Sequence, residues 1–464
     1  MHSPVFVSPD TIRARFSRAM SDLYKREVPL YGRLLELVAH TNAQVMQGQP
    51  ELAEQLRVTG EIERLDAERH GAIRLGTAAE LSTIRRLFAV MGMRPVGYYD
   101  LAPAGVPVHS TAFRAVHEAA LQASPFRVFT SLLRLELIED AGLRRLAAEL
   151  LARRRIFTPR VIELIGQCEV AGGLLAGEAD EFIGEALQTF RWHSQATVSA
   201  EQYRQLHGQH RLIADVVAFK GPHINHLTPR TLDIDAIQAG MPRHGITPKA
   251  VIEGPPRRNC PILLRQTSFK ALQEAVAFIG QDGPQGSHTA RFGEIEQRGA
   301  ALTAKGRELY DRLLDGARQA LAATPSEANA GQHDALMAEH FRAFPDDHEA
   351  MRRDGLAYFR YFATPAGIAA ARPGHRPQLD ALVAAGHVRV EPLVYEDFLP
   401  VSAAGIFQSN LGEGAQVDYA SGSSQADFEA ALGARVEDEL SLYADTQRRS
   451  LAACAEALRL DTLG

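Results

Sequence analysis

Cysteine is scarce: Cys168, Cys260 and Cys454 are the three in 464 residues, and they lie far apart. An odd number at such spacing excludes a disulfide scaffold and a cysteine zinc motif, and reads as reduced thiols. No apolar run approaches the ~18–20 residues of a membrane span. The start, Met1-His-Ser-Pro-Val-Phe-Val-Ser8, has no basic stretch leading into an apolar one, so a secretory leader is not expected. Positive charge is not in excess, since 50 Lys and Arg face 56 Asp and Glu for a net charge of −6. That balance gives no electrostatic footprint for nucleic acid or an anionic membrane. The chain also lacks a Gly-x-Gly-x-x-Gly turn after a strand, a Walker loop, a Gly-x-Ser-x-Gly elbow and a His-Glu-x-x-His helix. With 45% hydrophobic and 23% charged residues, the composition is that of a cytoplasmic globular protein of two or three domain-sized units.

The patterning predicts helices first. Ser8-Pro9-Asp10 is a start signal, and Ile12, Phe16, Met20 and Leu23 recur at helical spacing. A second helix is expected over Val28–Val38 and another over Ala79–Met91, with a strand or turn between them around residues 62–76. From Ser110 to about Ala200 the chain reads as almost all helical, leucine- and arginine-rich at 132–137 and 146–155. The texture then turns to α/β. Ile213–Phe219 reads as a strand leading into Gly221-Pro-His-Ile-Asn-His226, a short helix follows at Asp233–Gly240, and strands are expected at Ile262–Leu264, near Phe269 and over Thr289–Gln297. Strands are also expected after Gly355 and over His387–Tyr395, with one long amphipathic helix capped by Ser424 closing the chain at Leu458. Four regions result: a mainly helical 1–200, a βαβββ unit in 201–320, a second sheet-forming unit in 333–412 that closes a barrel, and a C-terminal helix in 413–464. Ala322–Gln332 is the expected flexible link.

Three ligand-type residues stand out from 17 histidines and 56 acids: His70, His226 and Glu294. Two imidazoles and a carboxylate form the set that holds a non-haem Fe(II) on one face and leaves the other open to substrate and dioxygen. Within His223-Ile-Asn-His226, strand alternation lets only one of the two histidines face a given pocket. His226 precedes Leu227 and the turn residues Thr228-Pro229, near a strand end, yet a lone strand histidine is more often an ordinary core or surface residue. Glu294 falls on the last strand of the same unit and shares a face with Glu296, while Gly293 permits a backbone or ligand to approach closely. His70 and Arg74 share a face whether their segment is helix or strand. Arg74 then either forks onto a substrate carboxylate beside the metal or pairs with Asp66 or Glu68 at the surface. Leu264-Arg265-Gln266-Thr-Ser268 and Tyr395-Glu-Asp-Phe-Leu-Pro-Val-Ser402 either line a pocket or form turns with satisfied side chains. His223 and His348 are left as supporting or surface residues.

Taken together, Glu27-Val-Pro-Leu-Tyr-Gly32, Glu68-Arg-His70-Gly-Ala-Ile-Arg74, Gly221-Pro-His-Ile-Asn-His226-Leu-Thr228, Arg265-Gln-Thr-Ser268-Phe269, Arg291-Phe-Gly-Glu294 and Tyr395-Glu-Asp-Phe-Leu-Pro400 with Ser402–Asn410 make the chain resemble the 2-oxoadipate dioxygenase/decarboxylase family, over essentially its whole length. The resemblance implies an α+β fold of the vicinal oxygen chelate type, a curved βαβββ half-barrel elaborated by many helices. It implies Fe(II) held by His70, His226 and Glu294, substrate carboxylate on Arg74, and Ser402 and Gln266 in the pocket wall. The implied reaction is 2-oxoadipate plus dioxygen giving the D form of 2-hydroxyglutarate plus carbon dioxide, in lysine breakdown. A different metal-dependent isomerase or lyase of the same superfamily is the alternative, and a helical interaction protein with an inert barrel a third.

Overall fold

Ser8 begins the first helix, Pro9–Glu27: its hydroxyl accepts from the Thr11 amide, and Pro9 fills the first turn, where a missing N–H costs nothing. Ile12, Phe16, Met20 and Leu23 lie on its buried stripe, as their spacing predicts. The second helix runs on to Pro29–Gly48, and Thr77 caps the helix Ala78–Val90. The computed structural model describes residues 5–280, 283, 286–289, 291–321, 325–372, 378–399 and 424–463. Among them no helix is long and apolar enough to cross a membrane.

The protein is mixed α+β, with a mixed sheet among many helices. Strands β1 (Arg69–Leu75), β2 (Arg94–Asp100), β3 (Val108–Arg114), β4 (Phe126–Leu133) and β5 (Leu227–Pro229) make a five-stranded sheet in the order β2-β3-β4-β1-β5. β1 and β4 are parallel, and the other neighbours antiparallel. So β1, the helix Ala78–Val90 and β2 to β4 already run as βαβββ. A second run follows: β5, the helix Ile234–Gly240, β6 (Leu264–Ser268), β7 (Gln273–Val276), β8 (Gly286–Thr289) and β9 (Glu294–Arg298). Here β6 pairs with β9, and β7 with β8. A parallel bridge between Arg230 and Glu296 ties β5 to β9, where the Thr231 amide donates to the Glu296 carbonyl at 2.7 Å. Where β1 meets β5, His70 stands opposite Thr228, joining the two runs. Strands β10 (Phe359–Ala363) and β11 (Val388–Pro392) pair with each other in a separate two-stranded sheet.

Three expectations are corrected. Residues 110–200 are not almost all helical, because β3 and β4 occupy its start. Both strands are buried on both faces. Phe129 and Leu133 face one apolar core and Phe126 and Val128 the other, so the alternation that marks a half-buried strand is absent. Ile213–Phe219 is not a strand: Arg211–Val217 is a helix, started by His210, whose ring accepts from the Leu212 amide. Every residue from Leu212 to Val217 is buried, and a short run buried all round carries no period. The C-terminal helix is two, Gln425–Leu432 and Glu439–Ala457. Gly433, at φ 70°, ends the first in the left-handed region and Asp438 caps the second. The apolar stripe read across the break serves two cores: Phe428 and Leu432 join one, Tyr443 the other. Ser424 makes no cap bond; its hydroxyl meets Tyr98 Oη at 3.2 Å. The expected link begins outside the described residues, and its end, from Ala330, is helical.

Candidate metal centre

The three ligand-type residues converge. One ligand atom from each of His70, His226 and Glu294 lies within 4.8 Å of the others, and all three residues are buried. His70 sits on β1, central between β4 and β5; His226 immediately precedes β5; Glu294 opens β9. His70 Nε2 is 2.9 Å from Glu294 Oε2, and His226 Nε2 is 3.5 Å from the same oxygen. The two rings stand edge to face at 5.3 Å, with Phe398 against His70 and Phe292 against His226.

The environment of each ligand has a local cause. Gly71 lets Ile224 and the His226 carbonyl pack directly onto β1: a Cβ there would lie 2.5 Å from Ile224 Cδ1 and 3.1 Å from His226 O. Gly293 makes room for the ring of Phe269, a side chain rather than the backbone or ligand expected. Glu294 Oε2 accepts from Thr228 Oγ1 at 2.8 Å and, at 3.4 Å, from Gln266 Nε2. Burial pushes His226 down to about 4, so it is neutral. Burial acts to raise Glu294, but His226, His70 and the Thr228 hydroxyl outweigh it and hold the carboxyl below its ordinary value. Burial would also lower His70; Glu296 and Glu294 outweigh it and raise the imidazole instead.

Whether a cation fits can be tested on the polar atoms. Glu294 Oε1 and both ring nitrogens of His226 are buried without a hydrogen-bond partner. Unpaired buried polar atoms are costly. A divalent cation shared by two imidazoles and a carboxylate would satisfy one nitrogen of His226 together with the carboxylate, so the residues fit the group. With no thiolate in the set, the donors suit iron and its neighbours in the first transition row.

Arg74 shares the His70 face of β1, as the spacing predicts, and is buried. Its expected surface partners are wrong. Arg74 Nη1 donates to Asp215 Oδ2 at 2.5 Å, while Glu68 faces Arg64, Arg127 and Arg230 in the interior. Asp215 also receives His288 Nε2 at 2.8 Å and lies 3.4 Å from His223 Nε2; His288 Nδ1 accepts from the Tyr203 hydroxyl at 2.8 Å. Burial acts to raise the Asp215 carboxyl, but His223, Arg74 and His288 hold it far below the usual range. His223 is thus a partner of Asp215, pushed by burial down to about 3. His348 is remote, at the start of the helix His348–Arg353 with its ring near Phe359. Ser402 lies outside the described residues. Sequence reading missed Asp215 and His288. A strand reading of 213–219 hid the first, and nothing in the chain's spacing marks the second.

A sequence model of the 2-oxoadipate dioxygenase/decarboxylase family matches residues 16–410. A 2-oxoadipate dioxygenase/decarboxylase of Pseudomonas putida is 70% identical over 459 residues, 99% of each chain. Its Escherichia coli counterpart is 57% identical over 455 residues, 97% of this chain and 98% of the relative. A crystal structure of the hydroxyglutarate synthase of P. putida in complex with 2-oxoadipate superposes with a TM-score of 0.93 at 69% identity, covering 99% of this chain and 100% of that one.

Proposed function

The chain belongs to the 2-oxoadipate dioxygenase/decarboxylase family, and from that premise we propose that it converts 2-oxoadipate and dioxygen to (R)-2-hydroxyglutarate and carbon dioxide at the His70, His226 and Glu294 centre with Fe(II). The atoms balance without a further co-substrate: the C1 carboxylate leaves as carbon dioxide, the keto carbon becomes a carboxylate and the next carbon gains a hydroxyl. The observation that carries the reading is the convergence of three buried ligand-type residues, one ligand atom from each within 4.8 Å of the others, with a buried guanidinium on the same strand face.

Iron(II), when bound, supplies the redox chemistry that lets dioxygen react with a closed-shell oxo acid. The protein supplies the rest. His70, His226 and the Glu294 carboxylate would hold the cation, and Thr228 and Gln266 hold that carboxylate in place through Oε2. Burial keeps His226 neutral and able to donate its lone pair. Arg74 takes a substrate carboxylate while Asp215 holds its Nη1, so the guanidinium meets the acid already oriented. The family resemblance assigns Gln266 and Ser402 to the substrate as well, Ser402 lying outside the described residues. The βαβββ run of 69–133 and the run of 227–298, a strand and helix followed by four strands, are read as half-barrels of the vicinal oxygen chelate type that meet at β1 and β5, in a protein of the cytoplasm that acts in lysine breakdown.

The test is to load metal-free protein anaerobically with Fe(II) and 2-oxoadipate, then admit dioxygen. Expected are equimolar oxygen uptake and 2-hydroxyglutarate, both lost in Glu294→Ala. No uptake by iron-loaded protein would shift the reading to an isomerase or lyase that uses its metal only as a Lewis acid.

A further inference from the structure

We infer that Glu296 is a positioning residue for His70: its carboxylate holds the imidazole at Nδ1, so that Nε2 is the nitrogen offered to the cation. The inference rests on the metal-binding reading of the triad. Glu296 is two residues beyond Glu294 on β9, so the two carboxylates share a strand face. Glu294 Oε2 lies 2.9 Å from His70 Nε2, and Glu296 Oε2 lies 2.8 Å from His70 Nδ1, close though off the line of an ideal hydrogen bond. One strand therefore meets both nitrogens of one ring. A proton on Nδ1 shared with a carboxylate leaves the Nε2 lone pair free and makes it a stronger donor.

Glu296 is itself held from behind. Arg298 donates to both its oxygens, Nε to Oε1 and Nη2 to Oε2, each at 2.8 Å, and Arg127 Nη1 lies 3.8 Å away. Those arginines belong to a buried lattice in which Arg64, Arg127, Arg230 and Arg298 face Glu61, Glu68, Glu296 and Glu396. Four guanidiniums against four carboxylates leave this lattice with no net charge. The competing view is that Glu296 only completes this lattice. Glu68 separates the two, since it meets Arg64, Arg127, Arg230 and Arg298 but not His70.

The experiment is a Co(II) titration of the metal-free full-length protein, followed by visible d–d absorption, with a thermal melt of each variant. Glu296→Gln is expected to weaken Co(II) roughly 10- to 100-fold, the usual effect of losing the partner of a ligating histidine, and to shift the absorption bands. Glu68→Gln is expected to lower the melting temperature while leaving Co(II) affinity near that of the parent. Equal affinity in Glu296→Gln and parent overturns the inference, as does an equal loss in Glu68→Gln. If Glu296→Gln does not fold, Glu296→Asp, which keeps the charge but draws it back from Nδ1, is judged by the same comparison. A parent protein that binds no Co(II) overturns the triad reading as well, whereas a binding parent with an indifferent Glu296→Gln overturns this inference alone.

Discussion

At the scale of single residues, the site depends on which hydrogen bonds are already made before substrate arrives. Asp215 is the clearest case, because it commits one nitrogen of Arg74 and is in turn committed by His288. Asp215→Asn keeps the shape but removes the charge opposite Arg74. Bonds to charged groups contribute about 1.5–3 kcal/mol, so the KM for 2-oxoadipate is expected to rise roughly tenfold or more while Fe(II) affinity is unchanged. Steady-state kinetics beside a metal titration would check this, and an unchanged KM would separate Asp215 from substrate binding. The candidate ligands were legible among 17 histidines and 56 acids because each lay beside turn or glycine residues and within a stretch that carries the family resemblance. Asp215 was not, because its role comes from a side-chain contact with Arg74, 141 residues earlier in the chain, that no local pattern encodes.

At the scale of elements, β1 matters most. It is the one strand hydrogen-bonded to both β4 and β5, and it carries His70, Gly71 and Arg74 within five positions. Gly71→Ala would press a methyl group into Ile224 and the His226 carbonyl. Overpacking of this kind costs about 1–3 kcal/mol, and here relief must come from the segment that carries His226. Reduced metal affinity together with a lower melting temperature is expected; a crystal structure of the variant with His226 unmoved would refute it. Amphipathic helices such as Pro9–Glu27 were readable from periodicity alone. β3 and β4 were not, since a strand covered on both faces has no polar side to betray it. Nor was the break at Gly433, where two apolar stripes happen to run in phase.

At the scale of the whole molecule, buried charge and buried neutral histidine set the response to acid. His109 and His210 are held down to about 4 and His223 to about 3, each chiefly by burial, against an ordinary 6.5. Folded protein therefore binds fewer protons than unfolded protein in that range, and stability falls as pH drops from 6.5 towards 4, by on the order of several kcal/mol in all. The carboxylates Glu68 and Glu396, held low by their arginines against the effect of burial, add losses below about pH 4.5. Melting curves of the metal-free protein should show this slope; a flat profile between pH 6.5 and 5 would contradict it. The arginine lattice has a separate signature. Arg127 faces Glu68, Glu296 and Glu396, and Arg127→Ala leaves the buried lattice one positive charge short. A loss of about 3–5 kcal/mol is expected in denaturant unfolding.

His70 and Glu294, which meet at the centre, are 224 residues apart in the chain. A ribosome adding about 5–20 residues per second takes roughly 10–45 s to cover that distance. Until residue 227 is added β1 has neither β5 nor β9 beside it, and until residue 294 it still lacks β9, so the nascent chain carries an incomplete ligand set. On the proposed ligand set, metal can be captured only after residue 294 has been added, and a chain truncated before it lacks the carboxylate that completes the set.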